Sequence, residues 1–249
     1  IYGIKYNFMA QINIFNNNFQ YTASYIYSRD SKGVFHFALA RKVPPGSRIR
    51  LGKNKNSGAA GTKSKYHGKW GTFGGKKDPK SRHTLDAAIR EISDEAGITG
   101  LSYKNVDIVW LKRKLTAPLT LEITFVKNGV AIFIFKMNDY NLFQTWFPTG
   151  TRGGANIVTS SHGEIDLVGS FTMEKIIKKQ IEEMRRFGNN FFLSYALESF
   201  NMIVFPYIRS ISSSFQKKWS QNIGYLTDIN PRQVQRPRRY IEGPIGKYT

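Results

Sequence analysis

An α/β domain followed by an irregular basic tail is what this 249-residue sequence predicts, and three observations predict it. Segments of strand character lie both before and after one strongly amphipathic helical stretch at 84–96. A second helical stripe closes the patterned region, and beyond Tyr207 the pattern decays into Ser-rich and then Arg/Pro-rich sequence. With 41% hydrophobic and 14% aromatic residues, the composition is that of a folded globular protein able to bury a sizeable core. The simplest organisation is one large domain at 19–206 with an N-terminal extension at 1–18, a basic insertion at 43–68 and a tail at 207–249.

The elements follow in order. Phe19 to Tyr27 and Val34 to Arg41 flank the turn-forming Ser-Arg-Asp-Ser-Lys-Gly segment and predict a β-hairpin, with Gln11 to Phe15 as an extra edge strand before it. From Val43 to Gly68 the chain is rich in Pro, Gly, Ser, Asn and Lys, a flexible insertion. Lys69 to Phe73 predicts a short strand delivering the Gly74-Gly75 turn. From Thr84, the spacing of Leu85, Ala88, Ile89, Ile92 and Ala96 is that of a buried helical stripe. Further strands are predicted at Asn105 to Arg113, Thr120 to Val126, Val130 to Met137 and Ile165 to Phe171, with Lys127-Asn128-Gly129 as a tight hairpin turn. Met173, Ile176, Ile177, Ile181 and Met184 form a second helical stripe with Thr172 as its cap, and Asn190 to Phe200 predicts another helix.

Composition also excludes. There is no cysteine, hence no disulfide or thiolate metal site. No apolar run approaches a membrane span, since Val130 to Phe135 and Met202 to Tyr207 are strand-sized, so a soluble protein with no membrane span is expected. The chain begins at Ile1 without a charged-then-apolar leader, which suggests processing or numbering from inside a longer precursor. Abundant Asn, Ile, Lys, Tyr and Phe is the usage of an AT-rich genome, as in a large virus, an organelle-related protein or an AT-rich microbe.

The formal charge of +20, from 37 basic and 17 acidic residues, should concentrate polyanions at the surface, nucleic acid above all. It is clustered. Thirteen cations lie between Arg41 and Arg82 against Asp78 alone. Lys53, Lys55, Lys63, Lys65 and Lys69 in this stretch are candidate nucleic-acid contacts, with Tyr66, His67 and Trp70 available to stack on bases. A second group, with Lys217, Lys218, Arg232, Arg236, Arg238 and Arg239 beside Trp219 and Tyr240, suggests a nucleic-acid-binding or assembly tail.

On the 84–96 helix the same periodicity places Glu91, Asp94 and Glu95 together on the face opposite the apolar stripe, with Arg90 one turn from Asp94. Three carboxylates so close need a cation among them, and a divalent metal is the strongest candidate. An ordinary solvated acidic face is the plainer reading of the same residues. The segment Arg90, Glu91, Ile92, Asp94, Glu95, Gly97 and Ile98 resembles the second half of the Nudix box, with Asp94 in place of Glu. The first half departs from that pattern: Arg82 stands at the position of the first Glu, and the spacing from Gly75 is one residue too long.

The resemblance covers roughly Phe19 to Met184 and implies a Nudix-type α/β/α sandwich with a mixed β-sheet. It implies a diphosphohydrolase cutting a nucleoside-diphosphate linkage with Mg²⁺ or Mn²⁺, held by Glu91, Asp94, Glu95 and the Gly74 carbonyl and oriented by Arg90. Glu164, with Asp166 behind it, is the candidate for a further carboxylate from a late loop. Given the charge, the RNA 5′ end or cap is one candidate substrate. The competing reading is a Nudix-fold structural or nucleic-acid-binding protein of a virion or ribonucleoprotein particle, its tail meeting assembly partners. A module that binds nucleotide without cutting it is a third.

Overall fold

The computed structural model describes residues 13–15, 18–42, 68–111, 117–149, 156–157, 165–187 and 191–219. The fold class is the expected one, α/β built on a mixed sheet. Two compact units divide the chain, one drawn from Ile1–Gly68 and Thr72–Thr172, the other from Lys69–Gly71 and Met173–Thr249.

The first unit holds the sheet. Strands β1 (Tyr21–Arg29) and β2 (Phe35–Lys42) form the expected hairpin, pairing Ile26 with Ala38 and Arg29 with Phe35. Asp30 closes the turn, its carboxylate accepting from the N–H groups of Lys32 and Val34 at 2.9 and 2.8 Å. Past β3 (Trp70–Gly71) and helix α1 (Thr84–Ala96), strands β4 (Val106–Ile108), β5 (Leu119–Lys127) and β6 (Val130–Met137) follow. Helix α2 (Tyr140–Trp146) and strands β7 (Asn156–Ile157) and β8 (Ile165–Thr172) complete the unit.

The strand order is β4-β5-β6-β1-β2-β8-β7. Strand β1 lies parallel to β6 and β4 parallel to β5, while the other neighbours on this path run antiparallel. The Asn128-Gly129 turn takes positive φ at both residues, 51° and 76°, as a tight hairpin turn with right-handed strand twist demands. Helix α1 packs its stripe of Leu85, Ala88, Ile89 and Ile92, each fully buried, into a core with Ile26, Ala38, Ala40, Phe133 and Phe135 from one sheet face. Aromatic rings of Phe73, Phe143 and Phe147 extend that core.

The second unit is helical beyond the short β3. It contains α3 (Met173–Phe187), α4 (Ser194–Ser199), a π-helical stretch at Phe200–Val204, α5 (Phe205–Ile211) and α6 (Ser213–Trp219). Its interior stacks Phe192 on Phe200 and sets Phe205 against Phe215. The buried Gln180 amide oxygen accepts from the Phe191 N–H at 2.9 Å, tying α3 to the chain before α4.

Several local expectations are corrected. Residues 13–15 form a turn rather than part of an edge strand, and Ile14 anchors it by burying in the core. Among the described residues the strand expected over 105–113 is Val106–Ile108, because Val109–Leu111 turns into a 3-10 helix. Residues 207–219, read as the onset of irregular chain, are helical apart from Ser212, since Ile208, Phe215 and Trp219 supply a buried face that the serines hid. Helix α2 was not anticipated; its start is fixed by Asp139, whose carboxylate accepts from the N–H groups of Asn141 and Leu142. Most of the insertion (43–67) and of the tail (220–249) lies outside the described residues.

Candidate functional site

The candidate site lies where the loop after β3 meets α1. That loop is pinned to the first half of β1, where β2 does not reach. Phe73 exchanges backbone hydrogen bonds with Ser24 at 2.6 and 3.2 Å, Thr22 N–H donates to the Gly75 carbonyl at 3.0 Å, and Lys77 N–H donates to the Gln20 carbonyl at 2.6 Å. Between these anchors Gly74 takes φ 152°, and a Cβ there would lie 2.2 Å from the Thr22 carbonyl oxygen. Only glycine fits such a backbone. With Phe73 and Gly75 bonded to β1, Gly74 turns the other way, and its N–H donates to Glu95 Oε2 at 2.8 Å. Its own carbonyl accepts no hydrogen bond among the described residues.

Helix α1 presents the acids. His83 caps it, Nδ1 accepting from Asp86 N–H at 3.1 Å, and Gly97 ends it at φ 67° with its N–H on the Ser93 carbonyl. Desolvation by burial holds the His83 imidazole below its ordinary range, Arg82 adding to that and Asp86 and a hydrogen bond that the ring donates to the Ile14 backbone opposing it. The three carboxylates do not share one environment. Glu95 is 7% exposed, Glu91 is half-buried beside Gly75, and Asp94 is exposed with no partner among the described residues.

Glu95 is the most tightly held. Besides Gly74 N–H on Oε2, it takes the Lys42 ammonium on Oε1 at 3.0 Å, in a pair whose side chains are 12% and 9% exposed. Lys42 gets there through a register shift at the end of β2. Arg41 pairs with Leu167 but Lys42 with Ile165, which leaves Asp166 as the extra residue of a bulge. The two neighbouring cations of β2 then each meet an acid: Arg41 forks onto Asp166 with contacts of 3.0 and 2.6 Å, and Lys42 reaches Glu95. Two of the thirteen cations counted over 41–82 are thus spent inside the fold.

Arg90 does not brace Asp94. Its guanidinium pairs with Asp78 at 3.1 Å, clamping the far end of the glycine loop to α1. Arg82 is exposed, its backbone N–H donating to Asp86 at 2.7 Å and its guanidinium facing the Tyr103 hydroxyl at 3.4 Å. Among the described residues the cation shown paired with one of the site's acids is Lys42, at Glu95, which sequence reasoning treated as part of a basic run; only the bulge reveals it. Lys69 is half-buried just before β3, in the other unit. Glu164, Lys53, Lys55, Lys63, Lys65, Arg236, Arg238 and Arg239 lie outside the described residues. Among the described residues no three acidic or histidine side chains already stand as a metal cage.

A separate polar cluster lies on the β1–β2 hairpin. His36, 7% exposed, sits 3.2 Å from both Asp30 Oδ2 and the Tyr140 hydroxyl. Burial alone would raise the Asp30 carboxyl, yet hydrogen bonds from Val34, His36 and Lys32 leave it below its ordinary range. Burial and the Asp30 charge push the Tyr140 phenol up.

No family model matches the chain, and no curated protein is similar to it. Among solved structures, a Nudix hydrolase from M. Smegmatis, RenU, is similar with a TM-score of 0.29 and 15% identity, covering 50% of this chain. The match spans 64% of that protein's chain, and at this TM-score it fixes neither fold family nor function.

Proposed function

We propose that the first unit is a Nudix-type domain that hydrolyses a nucleoside-diphosphate linkage, the RNA 5′ end or cap being the favoured substrate class. One observation carries this reading: the Arg90 to Ile98 segment that resembles the Nudix box is helical as far as Ala96, and its Glu91 and Glu95 lie directly against Gly75 and Gly74 of a pinned glycine loop.

The donor set suits a hard divalent cation. Carboxylate oxygens of Glu91, Asp94 and Glu95 and the Gly74 carbonyl, which accepts no hydrogen bond among the described residues, are the ligands such ions take, and the chain has already placed a positive charge, Lys42, at Glu95. Those four residues would hold Mg²⁺ or Mn²⁺, which when bound neutralises diphosphate charge and lowers the pKa of a water. The protein's own contributions are positional: Gly74 N–H orients Glu95, and the Arg90–Asp78 pair holds the loop to the helix. Glu91 is the residue assigned to orient the attacking water, with Glu164 as a further carboxylate.

The test is a survey of nucleoside triphosphates, nucleotide sugars, dinucleoside polyphosphates and capped RNA with Mn²⁺. Turnover by the wild type that Glu91→Gln nearly abolishes, with the fold unchanged by circular dichroism, is the expected result. Arg82→Glu, restoring the missing carboxylate, should raise activity. No product from any substrate would refute hydrolysis.

Lys42 also favours a second reading, since a chain that supplies Glu95 with its own counter-charge can keep the fold without metal. The domain would then bind nucleic acid without cutting it, through the 43–68 insertion and the basic tail, in a virion or ribonucleoprotein particle. Neutralising four insertion lysines should flatten the dependence of log affinity on log salt by roughly three units, at about 0.7 per phosphate contact on single strands. An unchanged slope would refute it.

A further inference from the structure

We infer that Lys42 is a built-in counter-cation that occupies the place of a divalent ion at Glu95 and has to leave when that ion binds. The inference rests on the metal-dependent reading above. A Glu side chain only 9% exposed and hydrogen-bonded to a backbone N–H requires a compensating positive charge, and Lys42 Nζ supplies it at 3.0 Å. The same oxygen cannot serve an ammonium and a metal at full strength, and an ammonium left beside the ion would repel it.

The backbone around Lys42 tells what has to move. Lys42 is paired with Ile165 on one side, and its carbonyl accepts from Gly68 N–H at 2.8 Å on the other. The strand end is fixed from both sides. Release is therefore a swing of the four-carbon side chain, which a lysine accomplishes without disturbing the sheet. The Gly68 bond also means that the basic segment after Lys42 departs from and returns to this one residue, so the counter-cation stands at the stem of the insertion.

The experiment measures Mn²⁺ itself, with no turnover involved. Full-length wild type, Lys42→Met, Lys42→Arg and Glu95→Gln are titrated with MnCl₂ by calorimetry, and their thermal unfolding is recorded with and without the metal. Lys42→Met should bind Mn²⁺ about tenfold more tightly than wild type and gain more melting temperature from it, because the competing charge is gone. Lys42→Arg keeps the charge and should stay near wild type, while Glu95→Gln should lose affinity. Should Lys42→Met fold only when Mn²⁺ is present, the metal has replaced the lysine as the counter-charge, which is the same result in stronger form. A Lys42→Met protein that binds Mn²⁺ no better than wild type, or that stays unfolded with Mn²⁺, overturns the inference and leaves the metal site standing. Absence of Mn²⁺ binding in all four proteins removes both.

Discussion

Among the described glycines, Gly74→Ala should carry the largest cost. The new methyl would sit 2.2 Å from the Thr22 carbonyl oxygen and 2.9 Å from Ala23 Cα, both backbone atoms inside the sheet that have no rotamer to escape into. The backbone conformation adds to this: φ 152° is a region nearly closed to L side chains, worth about 1–3 kcal/mol by itself. To relieve the clash the loop has to retreat from β1, weakening the bonds of Phe73 and Gly75 to Ser24 and Thr22, each worth about 1 kcal/mol net. The total is about 3–5 kcal/mol, and for a domain of this size each kcal/mol lowers the melting temperature by roughly 2–4 °C, so a fall of roughly 10 °C is expected. Two internal controls sharpen the result. Gly100→Ala has φ 78° with nothing within 4 Å, so it measures the backbone cost alone, about 1–2 kcal/mol. At Gly75 the added methyl meets only the movable Glu91 carboxylate at 3.1 Å, so Gly75→Ala should cost under about 1 kcal/mol. Thermal unfolding followed by circular dichroism ranks the three. A Gly74→Ala protein no less stable than Gly100→Ala would refute the close approach of this loop to β1.

The remaining predictions use the same geometry. Arg41→Ala strands Asp166, whose side chain is 4% exposed, and should cost about 3–5 kcal/mol, whereas Asp78→Asn breaks a pair more than a third exposed on both sides and should cost under about 1 kcal/mol; chemical denaturation of both proteins gives the comparison. The folded protein holds the His83 imidazole below its unfolded pKa, so the unfolded state binds the extra proton and stability falls as pH drops through the ordinary histidine range; protonation also removes the Nδ1 acceptor that caps α1. His83→Asn keeps a capping oxygen without the titration, and its melting temperature should change less between pH 7.5 and about 5.5 than that of wild type. An equal acid loss in both proteins would show that the dependence arises elsewhere.

The sequence by itself determined the helix, its buried face and the glycine loop ahead of it. These are local matters: a 3.6-residue period and a Gly74-Gly75 turn ahead of it are written within some twenty-five consecutive residues, whereas the closeness of Gly74 to Thr22 came only with the tertiary fold. The β5–β6 hairpin was legible for the same reason, since Asn128-Gly129 states its own turn. Helix α6 was not, because its serines mask an apolar face that exists only once Phe215 and Trp219 have something to pack against. Tertiary structure alone decided how the site's charges pair. Lys42 and Glu95 are 53 residues apart and Arg41 and Asp166 are 125 apart. Both pairings depend on a one-residue bulge whose position follows from how two distant strands fit against a shared core. Arg90 and Asp94 shared a helix and looked like natural partners, yet Arg90 meets Asp78 instead, because the pinned loop brings that carboxylate to α1 from outside the helix. Periodicity places residues on a face; which opposite charge arrives there is fixed by the packing of chain segments that the periodicity does not connect.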